Sequence, residues 1–394
     1  MKQPMYYFGV LIRLERIRQN RDQREVSHGI CVPSYLCKIE KGQVCPDEEI
    51  VEKLLKKLGI IYEKDPILIK ECEKLINEYW NGSKYGMDME TTYKKLQEKR
   101  EFLIYSKLAI DWLLIEGKER EESYKELEPF EWIMTDRQQG IYYLLKGMNA
   151  PLEKRLYFYE KAFDKLKESF ALLYIMTTYW ELGNYAKVQS LEGQCINLAL
   201  EEGSVYTLIC CYLLLGSSYA CLDLEEMMLL YYNRSIHLIQ NTNWTYLLPS
   251  IYYNIGSVYV SLKKYDEAIT YLEKGSENSF LINQKLALIY IRKGEKEKAL
   301  IYIEHMKEEE KKEQYSKDSI EHLLLEEVIM ELNGDYKENP DSIKLIEQLI
   351  KSLKKEKHFG YLYFYKDIIL EIYCSHRQYK KALEFQYEIS RLWI

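Results

Sequence analysis

The sequence predicts an all-α protein in two parts. A small helical head covers residues 1–64 and a stacked array of helix pairs covers residues 91–394, with a linker helix and hinge over 65–90. Three observations predict this. Only 18 glycines and 8 prolines occur in 394 residues, which leaves few turn-formers and favours long helices. One pattern repeats at a shift of 40 residues through the middle of the chain. Near the N-terminus, short helical segments alternate with turn and cap residues. A chain of this length also exceeds what a single small core organises.

The head reads as follows. Phe8, Leu11, Ile12 and Ile17 recur at helical spacing and place a first helix at about Phe8–Arg18. Asn20 and Asp22 are cap residues for a short second helix starting near Gln23, anchored by Val26. Gly29 supplies the tight turn. Pro33 suits the first turn of a third helix, where its missing N–H costs nothing. Leu36 and Ile39, three apart, face the core, so Ser34, Tyr35 and Lys38 face outward. Residues 1–62 hold eleven Lys/Arg and eight Asp/Glu, a net +3, so the rest of this −7 chain carries −10. A basic head on an acidic body confines any nucleic-acid contact to the head.

The set Gln23, Val26, Ser27, Ile30, Ser34, Leu36, Ile39, Glu40 and Gly42 resembles the helix-turn-helix of the phage-repressor-like (Xre/Cro) family. The stretch VSHGICVPSYLCKIEKG is similar to the DNA-binding domains of the Rgg/PlcR/NprR (RRNPP) peptide-pheromone regulators of low-GC Gram-positive bacteria, with PDEEIVEKLLKKLGI supplying helices four and five. The resemblance implies a third helix lying in the major groove of double-stranded DNA. Pro33, Ser34, Tyr35 and Lys38 would then read bases, Lys38 as a donor to guanine and Pro33 or Tyr35 against a thymine methyl. It also implies phosphate contacts from Gln23 and the loop at Lys41, joined by Arg24 and its neighbours Arg18 and Arg21. Arg16 and Glu40 match a family pair that ties helix one to helix three.

After Pro66 an amphipathic run extends from Ile67 to Trp80, and NGSKYGMD then forms the clearest break in the chain. Beyond it, Tyr179, Tyr219 and Tyr259 align at the 40-residue shift, as do Leu182, Leu222 and Leu262. GSVYVSLKKYDEA resembles a tetratricopeptide repeat, a helix pair whose small residues allow close packing. One such pair cannot bury its apolar face alone, so pairs stack into a superhelix with a concave groove. Phased on Gly256, the inward positions include Tyr253 and Ser257, with Asn254 beside them. One unit earlier they include Ser217, before that Thr177, and one unit later Gln284 and Arg292. Amides, hydroxyls and an Arg among tyrosines suit an extended peptide, whose backbone is polar and whose side chains are partly apolar. Each of these residues is equally suited to packing between helices, and Arg292 equally to pairing with a neighbouring Glu.

Other chemistry is not indicated. Cys31, Cys37 and Cys45 form C-x5-C-x7-C, which does not match the closer spacing of structural zinc sites. The six histidines are scattered, and no nucleotide-binding or hydrolase motif occurs, so neither cofactor nor enzymatic activity is expected. No signal peptide or membrane-spanning run is evident, and nine cysteines without framework spacing suit a reducing compartment. The resemblance therefore implies a cytoplasmic homodimeric transcriptional regulator on a palindromic operator, controlled by a short linear signalling peptide (quorum sensing). Two rivals stay open: a repeat module that sequesters a partner protein, and a DNA-binding repressor without a small ligand.

Overall fold

The computed structural model describes residues 3–120, 123–222, 224–275, 279–334 and 337–391, and among them only helices and connections occur. By packing, the chain divides between Ile175 and Met176.

In the first unit α1 spans Gln3–Arg18, α2 Gln23–Ser27, α3 Pro33–Glu40, α4 Glu48–Lys57 and α5 Pro66–Lys84. The first helix begins a turn before Phe8 because MYYF continues its apolar face: Tyr7 and Phe8 are both buried. Ile17, expected on that face, is 56% exposed, and Val10 takes the inner position instead. The Asp22 carboxylate caps α2 by accepting from the Glu25 N–H at 2.8 Å. Gly29 follows at φ +77°, and Pro33 opens α3. Val26, Leu36, Ile39, Val51, Leu54 and Leu55 close the head with side chains at 1% exposure or less. Each buried aliphatic stabilises the head by roughly 1.5–3 kcal/mol. A Cβ on Gly9 would lie 2.6 Å from the Ile39 carbonyl oxygen, so glycine sets how closely α1 crosses α3.

Two expectations are corrected here. PDEEIVEKLLKKLGI forms one helix, α4, rather than two, because Gly59 turns at φ +80° and the next helix waits for Asp65 and Pro66. The NGSK stretch does not break the chain either. It completes α5, where Gly82 is buried under the Met89 thioether, and the turn falls at Tyr85 and Gly86. A mid-helix glycine costs about 1 kcal/mol of propensity, and the Met89 contact offsets it.

The head core continues into residues 105–148. Tyr7 donates its hydroxyl to the Ile104 carbonyl at 3.0 Å, and its ring lies 4.9 Å from that of Phe130. Ala109, Ile110, Leu113, Leu127, Phe130 and Ile141 share one apolar cluster with Phe8, Leu36 and Leu55. Trp132 lies against Gly42, where a Cβ would stand 1.9 Å from the indole ring.

The second unit is built of helix pairs. Val205–Ala220 packs on Glu225–Ile239, Leu248–Ser261 on Tyr265–Leu272, Phe280–Arg292 on Lys296–Glu313, and Ile320–Asn333 on Pro340–Lys355. Glycine sets the closeness of the first two pairs: a Cβ on Gly216 would meet the Tyr232 ring at 2.6 Å, and one on Gly256 would meet Leu272 at 2.6 Å. Polar contacts between successive repeats record the period. Tyr231 with Glu192, Lys264 with Glu225 and Arg292 with Glu331 are each 39 residues apart. Nearer the C-terminus the separation shortens to 34, in Lys354 with Glu388 and Lys381 with Glu347.

Candidate functional site

Two features of the structure are built for recognition, and each lies within a single packed unit.

The first is the outer face of α3. Pro33, Ser34 and Lys38 are exposed on it, Tyr35 is half-buried, and Arg24 and Lys41 are exposed on either side in sequence. The inner face is fixed by Leu36, Ile39 and Glu40. Arg16 grips Glu40 with Nε at 2.7 Å and a terminal nitrogen at 3.0 Å, and its other terminal nitrogen donates to the Arg21 carbonyl at 2.8 Å. The Glu40 carboxylate raises the pKa of Arg16 through that hydrogen bond. Gln23 donates its side-chain amide to Glu40 at 2.7 Å, so part of its hydrogen-bonding capacity is already used inside the head. Arg21 and Arg18 likewise sit on Glu25 and Glu15. Lys38, Lys41 and Arg24 are exposed cations on and beside the outer face of α3. A short helix presenting small and basic side chains from its N-terminal half has the form that enters a major groove.

The second feature is a cleft of about 870 Å³, including its open mouth, in the second unit. Ser217, Tyr253, Asn254 and Ser257, four of the seven positions expected to bind peptide, line it together. Asn254 donates to the Tyr232 hydroxyl at 2.9 Å, and Ser217 shares that hydroxyl at 3.0 Å. The Asn254 amide is thus held across the 15- to 22-residue gap between neighbouring helices, with its orientation fixed. Tyr253 hydrogen-bonds to the Tyr361 hydroxyl, 108 residues away, and burial pushes its pKa up to about 12.

The other three positions lie elsewhere. Gln284 is fully buried and donates to the Tyr365 hydroxyl. Arg292 forms a two-pronged pair with Glu331, at 2.8 and 3.2 Å, and is spent on holding two repeats together. Thr177 does not line the cleft. Repeat phase does not separate groove from core at Gln284, because the Phe280–Arg292 helix is buried along most of its length, and Arg292 takes the alternative left open by the sequence, pairing with a neighbouring Glu.

Sequence reasoning also missed the opposite wall. Residues of HFGYLYFY, in and beside the Phe359–Phe364 helix, close the cleft with Tyr361, Tyr363 and Phe364, and Lys285 also lines it. The aromatic density of that run was the available signal, but its pairing with Tyr253 is long-range. Among the described residues no group of His, Cys, Asp and Glu is arranged to hold a metal ion, and no helix is long and apolar enough to cross a membrane.

Comparison with known proteins bears on the fold of each part. Residues 12–61 match the helix-turn-helix family model, and residues 249–278 match the tetratricopeptide repeat model. The transcriptional activator NprA of Geobacillus stearothermophilus is 23% identical, covering 91% of this chain and 97% of its own length. The response regulator aspartate phosphatase I of Bacillus subtilis (strain 168) is 26% identical, covering 60% of this chain and 73% of its own length. In three dimensions the chain is similar to a Rap protein crystallised with competence and sporulation factor, with a TM-score of 0.62, 14% identity, and coverage of 82% of this chain and 98% of that one. The chain is an all-α protein with a helix-turn-helix head followed by tetratricopeptide-like repeats.

Proposed function

We propose that this chain is a cytoplasmic, DNA-binding transcriptional regulator whose DNA affinity is controlled by a short signalling peptide in the repeat cleft. The carrying observation is that one chain holds both a fixed α3 with an exposed basic face and a cleft lined by an oriented amide, hydroxyls and tyrosines. The near full-length similarity to a protein named a transcriptional activator supports the reading. Residues 1–64 serve as the DNA-binding domain, 65–90 as the connection and 91–394 as the peptide-binding and dimerising part. Pro33, Ser34, Tyr35 and Lys38 read bases, while Gln23, Arg24 and Lys41 meet phosphates. A homodimer on a palindromic operator doubles the contacts and fixes the half-site spacing. A peptide alters the DNA response only by binding two states of the protein unequally.

The test is selection of duplexes from a random pool by the purified chain. A two-fold symmetric motif is expected to enrich. Lys38→Ala is expected to relax one position of that motif at a cost of about 1–3 kcal/mol, and Lys41→Ala to weaken all sequences evenly and flatten the salt dependence. If no motif enriches, the regulator reading fails. The partner-sequestering reading would then stand. Pull-down of a partner protein by residues 176–391 alone would support it.

A further inference from the structure

Lys285 lies midway along the Phe280–Arg292 helix, is 1% exposed, and borders the cleft. Its Nζ has no hydrogen-bond partner among the described residues. The amine sits 3.1 Å from the centre of the Phe364 ring and 4.9 Å from that of Tyr361. Ring faces return only part of the hydration lost by an unpaired buried ammonium, whose desolvation penalty is larger. Burial accordingly pushes the pKa of this amine well below its ordinary value, partly opposed by the more distant Glu327. Glu327 is engaged with the Tyr365 hydroxyl and forms no ion pair with Lys285 among the described contacts.

Two further observations point the same way. The Ser257 hydroxyl, on the same cleft, is also buried and makes no hydrogen bond of full geometry, although it lies close enough to Tyr253 to oppose the rise in that phenol's pKa. No Asp or Glu is among the described residues lining the cleft, although Lys285 and Lys357 are, in a chain whose net charge is −7. A hydrocarbon side chain would fill the Lys285 slot without a desolvation penalty. An incoming anion is what makes an amine there favourable.

We propose that the cleft takes peptides bearing a carboxylate, which seats on Lys285 Nζ and accepts a second hydrogen bond from Ser257 Oγ. This rests on the peptide reading above and adds the chemical group that the cleft selects. A peptide C-terminus and an Asp or Glu side chain supply the same carboxylate, so the experiment separates them.

The probes are four pools of short synthetic peptides: free or amidated C-terminus, each with or without Asp and Glu. Each pool is mixed with the full chain, passed through gel filtration, and the retained peptides are counted by mass spectrometry. The wild type is expected to favour carboxylate-bearing pools over the amidated, acid-free pool by about tenfold or more, the effect of a charge-assisted hydrogen bond. Whichever single-carboxylate pool is retained identifies the source. Lys285→Met is expected to lose the preference while its unliganded melting temperature stays level or rises, because an unpaired buried cation has gone. Ser257→Ala, a smaller change, is expected to reduce the preference several-fold without altering the melt. Equal retention of the acid-free pool by wild type overturns the carboxylate proposal and leaves the peptide reading intact. Retention of no pool by wild type overturns both. A preference that survives in both variants also overturns it.

Discussion

Glu40 of α3 and Arg16 of α1 are joined through both carboxylate oxygens, at 2.7 and 3.0 Å, with the Glu40 side chain 3% exposed. The pair fixes the angle at which α3 is presented. Removing one partner strands a buried charge, which costs about 3–5 kcal/mol. Arg16→Met is therefore expected to lower the urea-unfolding free energy by that amount and to abolish duplex selection. A loss under about 1 kcal/mol would mean that water replaces the arginine and the pair is not what holds the helix.

Gly29 and Gly42 both have positive φ, +77° and +66°, but their surroundings differ. Nothing stands within 4 Å of a Cβ on Gly29, whereas one on Gly42 would collide with Trp132. Gly29→Ala should show backbone strain alone, about 1 kcal/mol or slightly more. Gly42→Ala should show strain plus displacement of the indole, visible as a shift in tryptophan emission. Combining Gly42→Ala with Trp132→Ala should remove the second component only. Equal melting temperatures for the Gly29 and Gly42 variants would refute the contact.

The helix-pair glycines permit a similar contrast. Gly216→Ala and Gly256→Ala force a methyl against Tyr232 and Leu272, so each is expected to destabilise by about 1–3 kcal/mol through overpacking. Gly193, within Glu192–Glu202, has open space at its Cβ. Gly193→Ala should stabilise by about 0.5–1 kcal/mol from helix propensity. Thermal unfolding of the three variants checks the order, and a destabilised Gly193 variant would contradict the helix placement.

Glu327 lies among Glu331, Arg292, Tyr365 and, more distantly, Lys285. Burial, reinforced by the Glu331 charge, raises its pKa from 4.5 to about 8. The folded chain therefore holds a proton that the unfolded chain has released between those two values. Stability contributed by this proton is full below pH 4.5 and is lost as pH rises through about 8. Lys285 acts in the opposite direction: its lowered pKa makes the fold lose stability as pH falls below the ordinary lysine range. Glu327→Gln keeps the shape and removes the first effect. Its melting temperature is expected to fall less than that of wild type from pH 5 to 8, and parallel curves would show that Glu327 is ionised throughout.

The head was legible because its residues carry local meaning. Asp22 as a cap, Pro33 as a helix start, Gly29 as a turn and Leu36 with Ile39 as an inner face are each decided within a few positions, and the structure places them so. Gly82 misled because NGSK has turn composition, whereas tertiary packing under Met89 keeps it helical. In the repeats the period gave Ser217, Tyr253, Asn254 and Ser257 a common side, and they line one cleft. It did not decide Gln284, because inward phase does not distinguish a groove from a core where a helix is buried on most sides, and it left Arg292 open between a ligand and the neighbouring Glu331 that it pairs with. The Phe359–Phe364 wall comes from over a hundred residues away, and no local pattern encodes which aromatic run will face which.

The apolar cluster shared by the head and residues 105–148 has a genetic consequence. A reading frame cut after residue 64 would encode a head whose Tyr7 has lost both the Ile104 carbonyl and the Phe130 ring. Phe8, Leu36 and Leu55 would lose part of the cluster they share with Leu113, Leu127 and Ile141. Such a fragment would be sticky and marginal rather than a free-standing cassette. A transplant meant to keep this head folded would therefore carry the segment through Met148, more than twice the length of the matched helix-turn-helix.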